Sequence, residues 1–212
     1  MKYIGEVFQD RRRDYLDIRN EYYHQQDSCC DIVMLGDSIT EGFNINYCGT
    51  TNKVIINSGI SGDRLRNLHA RLEVDAVKLK PKQVVLMIGI NDLLSDKPNT
   101  IDNYKANVFN LFEEYMKITE SLVKHNIIPV CCGIIKTSQF EHNHMFMNQQ
   151  IAYFNKLLEK YSNENEITYI DYNVVLGDVY GSIDDTFFSD GLHPNEKGYF
   201  EMFKLLKQHT II

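Results

Sequence analysis

The chain has 212 residues, of which 43% are hydrophobic and 24% charged, and this size and composition are typical of one globular domain. Its 22 basic and 29 acidic residues give a net charge of −7, which argues against a nucleic-acid partner, because a phosphate backbone requires a basic surface. No apolar run is long enough to span a membrane and the N-terminus has no signal-peptide core, so we expect a cytoplasmic protein without stable membrane association.

Short runs rich in Val and Ile alternate with longer amphipathic stretches along the whole chain. The predicted strands are Ile32–Leu35, Val54–Ile56, Val84–Ile88, Ile127–Cys131 and Ile167–Ile170. Apolar residues at intervals of three and four predict helices over Asp63–Leu79, Asn103–His125 and His144–Tyr161, and a last helix capped by Asn195 that ends near Gln208. Residues 1–28 are predicted to form a helical extension packed on the domain.

This alternation predicts a single α/β domain over residues 1–212, a three-layer α/β/α sandwich around a five-stranded, mostly parallel sheet. In such sheets, ligands bind at the carboxyl ends of the strands. The five cysteines include two adjacent pairs without the C-x-x-C spacing of a zinc site, so we expect reduced thiols, no metal and no cofactor.

Ser38 follows the first predicted strand within Gly36-Asp37-Ser38, and a stretch compatible with a helix comes next. A serine in this position has its hydroxyl at the sheet edge and its N–H at a helix N-terminus, where developing negative charge is favoured. Taken alone, the pattern also fits a serine that only caps a helix. We expect Asp37 to support this turn through hydrogen bonds to nearby amides.

Two further segments offer hydrogen-bond donors at strand ends. After the second strand comes the segment 57–63, in which Gly62 can direct its N–H into the cleft. The third strand ends in Gly89-Ile90-Asn91-Asp92, where the Asn91 amide can donate to an oxyanion. Each segment alone is equally compatible with an ordinary loop or turn, and Asp92 is expected to stabilise its own loop.

Asp190 and His193 lie three residues apart, just before the last predicted helix. One tight turn can bring the carboxylate to the imidazole and fix its tautomer and orientation. Asp184 and Asp185 are rival acids in the same region, but only Asp190 has this close spacing.

A polar stretch around His142 and His144 follows the fourth strand and has no third ligand at metal-site spacing, so we interpret it as a loop facing the cleft. Its large apolar residues are candidates to line a substrate pocket: Phe140, Met145, Phe146 and Met147.

The four segments occur in one chain and together supply a nucleophile, oxyanion donors, a base and an orienting acid, which are the components of acyl transfer. They resemble the SGNH hydrolases, also called GDSL-type esterases and lipases. The matching segments cover residues 31–200 and are Gly36-Asp37-Ser38-Ile39, the glycine segment ending at Gly62, Gly89-Ile90-Asn91-Asp92 and Asp190-Gly191-Leu192-His193. Ile39 stands where the family name has leucine.

The resemblance implies a flavodoxin-like sandwich and metal-free hydrolysis of esters or thioesters. It also implies an oxyanion hole formed by the Ser38 N–H, the Gly62 N–H and the Asn91 side chain. The predicted function is therefore a serine esterase with Ser38, Asp190 and His193 as its triad, acting on a small-molecule ester with a small acyl group, such as an acetylated sugar or similar metabolite.

Three alternatives remain beside this prediction. The same triad could serve a thioesterase or a lysophospholipase, and a non-catalytic binding module could retain the fold. A nucleotide-binding domain is excluded, because the segment after the first strand has neither G-x-G-x-x-G nor a Walker lysine.

Overall fold

The sheet has five strands within the part of the chain that a computed structural model describes, residues 30–44, 52–95, 104–138, 144–178 and 182–212. They are β1 (Ile32–Gly36), β2 (Ile55–Gly59), β3 (Gln83–Met87), β4 (Ile128–Cys132) and β5 (Thr168–Ile170). All neighbouring strands are parallel, in the order β2-β1-β3-β4-β5. This is the flavodoxin-like order, so the predicted fold class is confirmed. The predicted extension of residues 1–28 lies outside the described residues.

Helices cover both sides of this sheet. Those of the described residues are α1 (Ser38–Glu41), α2 (Leu65–Asp75), α3 (Ile90–Ser95), α4 (Tyr104–Lys124), α5 (His144–Glu164), α6 (Asn173–Leu176) and α7 (Glu196–Gln208). The crossover helices α2, α4 and α5 pack side by side, whereas α7 packs against α6 and reaches α1 through Tyr199, whose hydroxyl donates to Ile39 O at 2.9 Å. None of these helices combines the length and apolar character needed to cross a membrane.

The strand β1, which lies between β2 and β3, is buried along its whole length because helices cover both faces of the sheet. The helix α4 turns one apolar stripe to the core through Val108, Phe112, Tyr115 and Leu122. The buried Tyr115 hydroxyl donates to Leu86 O at 2.9 Å, so its polar group is satisfied inside the core.

The predicted boundaries of β2 and of the first crossover helix were wrong. Residues 57–59, interpreted as loop, extend β2 because they pair with residues 34–36 of β1. Their polar side chains are satisfied, since Asn57 donates to Thr40 O and Phe43 O and the Ser58 hydroxyl donates to Asp75 O. The helix predicted over Asp63–Leu79 is confined to Leu65–Asp75. It ends where Ala76 leaves helical geometry at φ −137°, and a short 3₁₀ turn, Val77–Leu79, follows.

Three of the five cysteines lie among the described residues, and all three are buried: Cys30, Cys131 and Cys132. Burial raises the pKa of the Cys131 thiol to about 11, which leaves it protonated at neutral pH. These thiols are therefore core residues.

Candidate active site

The crevice of this fold lies between β1 and β3, where the strand order reverses. Ser38 is the first residue of α1, immediately after β1. The helix cap is Asp37 and not the serine, because Asp37 Oδ1 accepts from Ile39 N at 3.0 Å. Asp37 thus accepts a local amide hydrogen bond in this turn, and the Ser38 hydroxyl is left available.

Glycine is required at position 36 for the turn to pass this close to its neighbours. A Cβ there would lie 2.1 Å from Thr40 Oγ1 and 2.3 Å from Met87 O, well inside contact distance. The turn therefore places Ser38 directly above the end of the sheet.

Three side chains form a continuous hydrogen-bond relay at this edge of the sheet. Ser38 Oγ lies 2.9 Å from His193 Nε2, although 155 residues separate the two in sequence. On the other side of the ring, His193 Nδ1 lies 2.7 Å from Asp190 Oδ2. In this arrangement Nδ1–H donates to the carboxylate and Nε2 can accept the serine proton, which is the geometry of an activated nucleophile.

The Asp190 carboxylate is oriented by its own turn. Its Oδ1 accepts from the backbone N–H groups of His193 at 2.8 Å and Leu192 at 3.0 Å. Burial alone would raise the pKa of Asp190, but the hydrogen bonds from His193 and Leu192 outweigh it and hold that pKa below its usual value. The rival Asp184 instead accepts from Thr186 N as the cap of a 3₁₀ turn, Asp185–Phe187, that contains the other rival, Asp185.

Gly62 and Asn91 flank the nucleophile from the neighbouring strand ends. Gly62 has φ +76°, in the left-handed region that favours glycine, and a Cβ there would meet open space, so this residue borders the cleft. Within the described residues, the N–H groups of Ser38 and Gly62 donate to no protein acceptor. Asn91 Nδ2 donates one hydrogen to Asp63 O at 2.9 Å and retains a second.

The segment containing Asn91 differs from the predicted turn. Residues 90–95 form α3, so Asn91 lies in the first turn of a helix. Asp92 was expected to stabilise its own loop, but its Oδ2 accepts from Leu65 N at 3.1 Å, at the start of α2. This contact links α3 to the start of α2. The two residues are 27 positions apart, so the contact cannot be predicted from local sequence.

Asp37 is buried beneath the nucleophile, with only 1% of its surface exposed. Burial raises its pKa from 3.8 to about 7, and the charge of Asp92 adds to this effect, whereas the hydrogen bond from Ile39 and the proximity of His193 oppose it. Asp37 therefore lacks the strong charge pairing that a fully ionised buried carboxylate needs.

A buried charge cluster beside the site was missed in the sequence. Arg71 of α2 donates to Asp63 Oδ2 at 2.6 Å and to Asp75 Oδ2 at 2.7 Å. A signal for it exists, because Arg71 and Asp75 follow the buried Leu68 and Leu72 by three residues each and so lie on the apolar side of their helix. Charged residues on that side indicate a buried pair.

A cavity of about 550 Å³ adjoins the loop that contains Asp190 and His193. It is lined by Lys136, Thr137, Gln149, Asp185, Met145 and Ile183, among others, and the N–H of Ser138 in its wall donates to Gly191 O at 2.8 Å. Of the predicted pocket residues, Met145 lines this cavity, Met147 is buried in the core and Phe146 packs against Tyr104. Phe140 and His142 lie outside the described residues.

Comparison with known proteins matches most of this chain to one family. A model of the GDSL-like lipase/acylhydrolase family matches residues 34–199. The chain is 28% identical over 157 residues to an acetylxylan esterase of Geobacillus stearothermophilus, an alignment covering 68% of this chain and 66% of that protein. It is also 28% identical over 146 residues to the uncharacterized lipoprotein YqeF of Bacillus subtilis (strain 168), covering 58% of this chain and 57% of that protein.

The chain thus spans about 57 to 66% of the length of these curated relatives. The fold is similar to that of a GDSL-like lipase from Bacteroides thetaiotaomicron, with a TM-score of 0.69 and 24% identity over 84% of this chain and 86% of that one. The predicted family is confirmed by the family match, and the structural likeness confirms the fold.

Proposed function

The chain belongs to the GDSL-like lipase/acylhydrolase family, and from this premise we propose that it is a serine hydrolase that cleaves carboxylic esters of small acyl groups. The observation that carries the proposal is the relay from Ser38 Oγ through His193 to Asp190, with bonds of 2.9 and 2.7 Å. It lies at the end of β1, and the N–H groups of Ser38 and Gly62 donate to no acceptor among the described residues.

In the first half of the reaction, His193 Nε2 removes the Ser38 proton while Oγ attacks the acyl carbon. The carbonyl oxygen becomes an oxyanion, which accepts from the N–H groups of Ser38 and Gly62 and from the second amide hydrogen of Asn91. As the carbon–oxygen bond to the alcohol breaks, His193 returns the proton to the leaving oxygen. An acyl-enzyme ester on Ser38 remains.

In the second half, water replaces the alcohol. His193 takes a proton from the water as its oxygen attacks the acyl carbon, and it then gives that proton to Ser38 Oγ as the carboxylic acid leaves. Asp190 holds the ring in one tautomer and stabilises the imidazolium formed in each half. No redox step and no further reactant is required.

The apolar space beside Asp37 is closed to an acyl chain. Ile39, Ile88 and Ile134 are among the residues that line it, and it leaves no volume accessible to a water molecule. Among the described residues, this space behind the nucleophile therefore gives no channel for a long acyl chain. The acetylxylan esterase relative is consistent with an acetyl group.

The cavity of about 550 Å³ beside the loop with Asp190 and His193 supports a polar alcohol group in the ester substrate. Its lining combines Lys136, Thr137 and Gln149 with a few apolar contacts, and groups of this kind bind hydroxyls better than alkyl chains. We propose an acetylated sugar or similar polyhydroxylated metabolite as the substrate class. The cytoplasmic location expected from the sequence is part of the same proposal, and cell fractionation tests it.

The direct test is hydrolysis of p-nitrophenyl acetate by the wild type and by Ser38→Ala. We expect the substitution to abolish turnover, because no other group of the site can form the acyl-enzyme, and to leave the circular-dichroism spectrum unchanged. Retained turnover in a folded Ser38→Ala would contradict the proposal.

A panel of acetyl, decanoyl and acyl-CoA substrates then tests the acyl group. We expect kcat/KM to be highest for the acetyl ester. A preference for the decanoyl ester or for acyl-CoA would point instead to a lysophospholipase or a thioesterase that uses the same triad.

A further inference from the structure

Arg71 is almost completely buried, with 7% of its surface exposed, and four hydrogen bonds join its guanidinium to other described residues. Two go to carboxylates, Asp63 at 2.6 Å and Asp75 at 2.7 Å. The other two go to backbone carbonyl oxygens at the ends of strands, Ser58 of β2 and Gly36 of β1, each at 2.9 Å. One side chain thus joins helix α2 to the carboxyl ends of two neighbouring strands.

Two of these acceptors belong to the turns that form the candidate active site. Gly36 directly precedes the Asp37–Ser38 turn, and Asp63 directly follows Gly62. From this placement we infer that Arg71 is a positioning residue. It holds the nucleophile turn (Asp37–Ser38) and the oxyanion loop (residues 60–63) at a fixed separation. The inference rests on the proposed esterase function.

The same network extends to the third oxyanion donor. The backbone carbonyl of Asp63 accepts from Asn91 Nδ2 at 2.9 Å, and this bond orients the amide so that its second hydrogen is available to the substrate. A shift of Asp63 would therefore move two donors together, the Gly62 N–H through the chain and the Asn91 side chain through this bond.

The oxyanion loop borders open space on the cleft side at Gly62, where glycine can adopt many backbone conformations. Its described anchors include backbone bonds from Ile60 N to Gly36 O and from Asp63 N to Ile60 O, each at 3.1 Å, and the bond from Ser61 N to Glu41 at 2.9 Å. They also include the bond from Asn91 Nδ2 to Asp63 O and the Asp63 carboxylate on Arg71. Only the last of these is a buried, charge-assisted contact.

Arginine suits this position for a geometrical reason. Its planar guanidinium presents several N–H groups in fixed directions, so one side chain can satisfy carboxylates and carbonyls at once. A buried ion cluster adds little to stability compared with apolar packing, because its charges must be desolvated. A positional role explains why a charge stands beside Leu68 and Leu72 on the apolar side of α2.

The test compares Asp63→Asn with Asp75→Asn, a matched control. Each variant removes one buried negative charge next to Arg71 and keeps the side-chain size, so both should lower Tm. Only Asp63 adjoins the oxyanion loop. Asp63→Asn should lower kcat for p-nitrophenyl acetate at least about tenfold with KM changed less than about threefold, because misplaced donors weaken binding of the transition state alone. Asp75→Asn should keep kcat within about threefold.

Arg71→Lys is the second test, since it keeps the positive charge and removes the fork of directed donors. It should lower kcat as Asp63→Asn does. Equal kcat losses in Asp63→Asn and Asp75→Asn would overturn the inference, as would full kcat in Asp63→Asn. If Asp63→Asn does not fold, Arg71→Lys replaces it in the comparison, and full kcat in that variant overturns the inference.

Failure of the proposed function is distinguishable from failure of this inference. A wild type without ester turnover would contradict the function, whereas the role of Arg71 would still be measurable as amide hydrogen exchange in residues 60–63. Exchange there should rise in Asp63→Asn and stay unchanged in Asp75→Asn. Equal exchange in the two variants would count against the positional role.

Discussion

Asn91 has two amide hydrogens, and within the described residues a protein acceptor takes one of them, Asp63 O at 2.9 Å. The other is the donor that the proposed mechanism assigns to the oxyanion. The sequence predicted this residue from its place after a strand, but not that its first hydrogen is fixed by a loop 28 residues earlier. Contacts of that kind depend on the folded arrangement of two strand ends.

Replacing Asn91 by alanine tests the donor. Loss of one oxyanion donor costs about a hundred- to thousandfold in turnover in comparable sites, so Asn91→Ala should lower kcat for p-nitrophenyl acetate on that scale with KM little changed. Steady-state kinetics measure this directly. A loss below about threefold would assign Asn91 a structural role only.

Asp37 gives a prediction about pH. Its pKa is 3.8 when unfolded and about 7 in the buried site, so the folded protein favours the protonated form. Between these values the unfolded state has released the proton that the folded state retains, and stability must therefore fall as pH rises from about 4 to 7. This loss of folding stability, the penalty for burying the ionised Asp37, is fully present above pH 7.

Asp37→Asn removes this penalty and keeps an oxygen to accept from Ile39 N. Each pKa unit corresponds to about 1.4 kcal/mol, so the variant should gain up to roughly 4 kcal/mol on the wild type by pH 8, and much less at pH 5. Urea unfolding at the two pH values measures the difference. A difference that does not change with pH would show that Asp37 titrates normally.

At the scale of elements, α7 begins where the sequence predicted, at the Asn195 cap. The Asn195 side chain accepts from Lys197 N and Gly198 N, and its amide also donates to Thr186 O at 2.9 Å and Phe188 O at 3.3 Å. The cap therefore joins the helix to the loop that leads to Asp190 and His193. The sequence predicted the cap, but not the hydrogen bonds from Asn195 to Thr186 and Phe188.

Two substitutions at Asn195 separate these contributions. Asn195→Ala removes both sets of bonds and should lower the free energy of unfolding by about 1 to 2 kcal/mol, whereas Asn195→Ser keeps a capping oxygen and should recover about half of that loss. Urea unfolding of the two variants measures both losses of unfolding free energy. Equal destabilisation by Ala and Ser would mean that the cap bonds contribute nothing measurable.

The elements that sequence periodicity predicts best are the buried strands and the long amphipathic helices, since each has a regular apolar pattern. The predicted limits of β1 and β3 differ from the structure by one residue at most. The short α3 was missed because six residues are too few for periodicity, and the extension of β2 was missed because Asn57 and Ser58 are polar. Their hydrogen bonds to distant carbonyls cannot be inferred locally.

At the scale of the whole molecule, the strand order explains why four separate segments meet. Parallel strands end at one edge of the sheet, and the order β2-β1-β3 places the oxyanion loop, the nucleophile turn and α3 side by side. The segment with Asp190 and His193 reaches the same edge from the C-terminal region. The motifs indicated which residues meet there, whereas the Arg71 cluster that joins two of the segments emerged only from the fold.

The most direct test of the central claim is covalent labelling with a fluorophosphonate, followed by mass mapping of peptides. In this reaction a base removes the serine proton, Oγ attacks phosphorus and fluoride leaves, and the phosphoryl oxygen of the tetrahedral adduct takes the place of the oxyanion beside its donors. We expect one adduct, on Ser38, that is absent in Ser38→Ala and forms far more slowly in His193→Ala. A folded wild type that is not labelled, or an adduct that persists in Ser38→Ala, would contradict it.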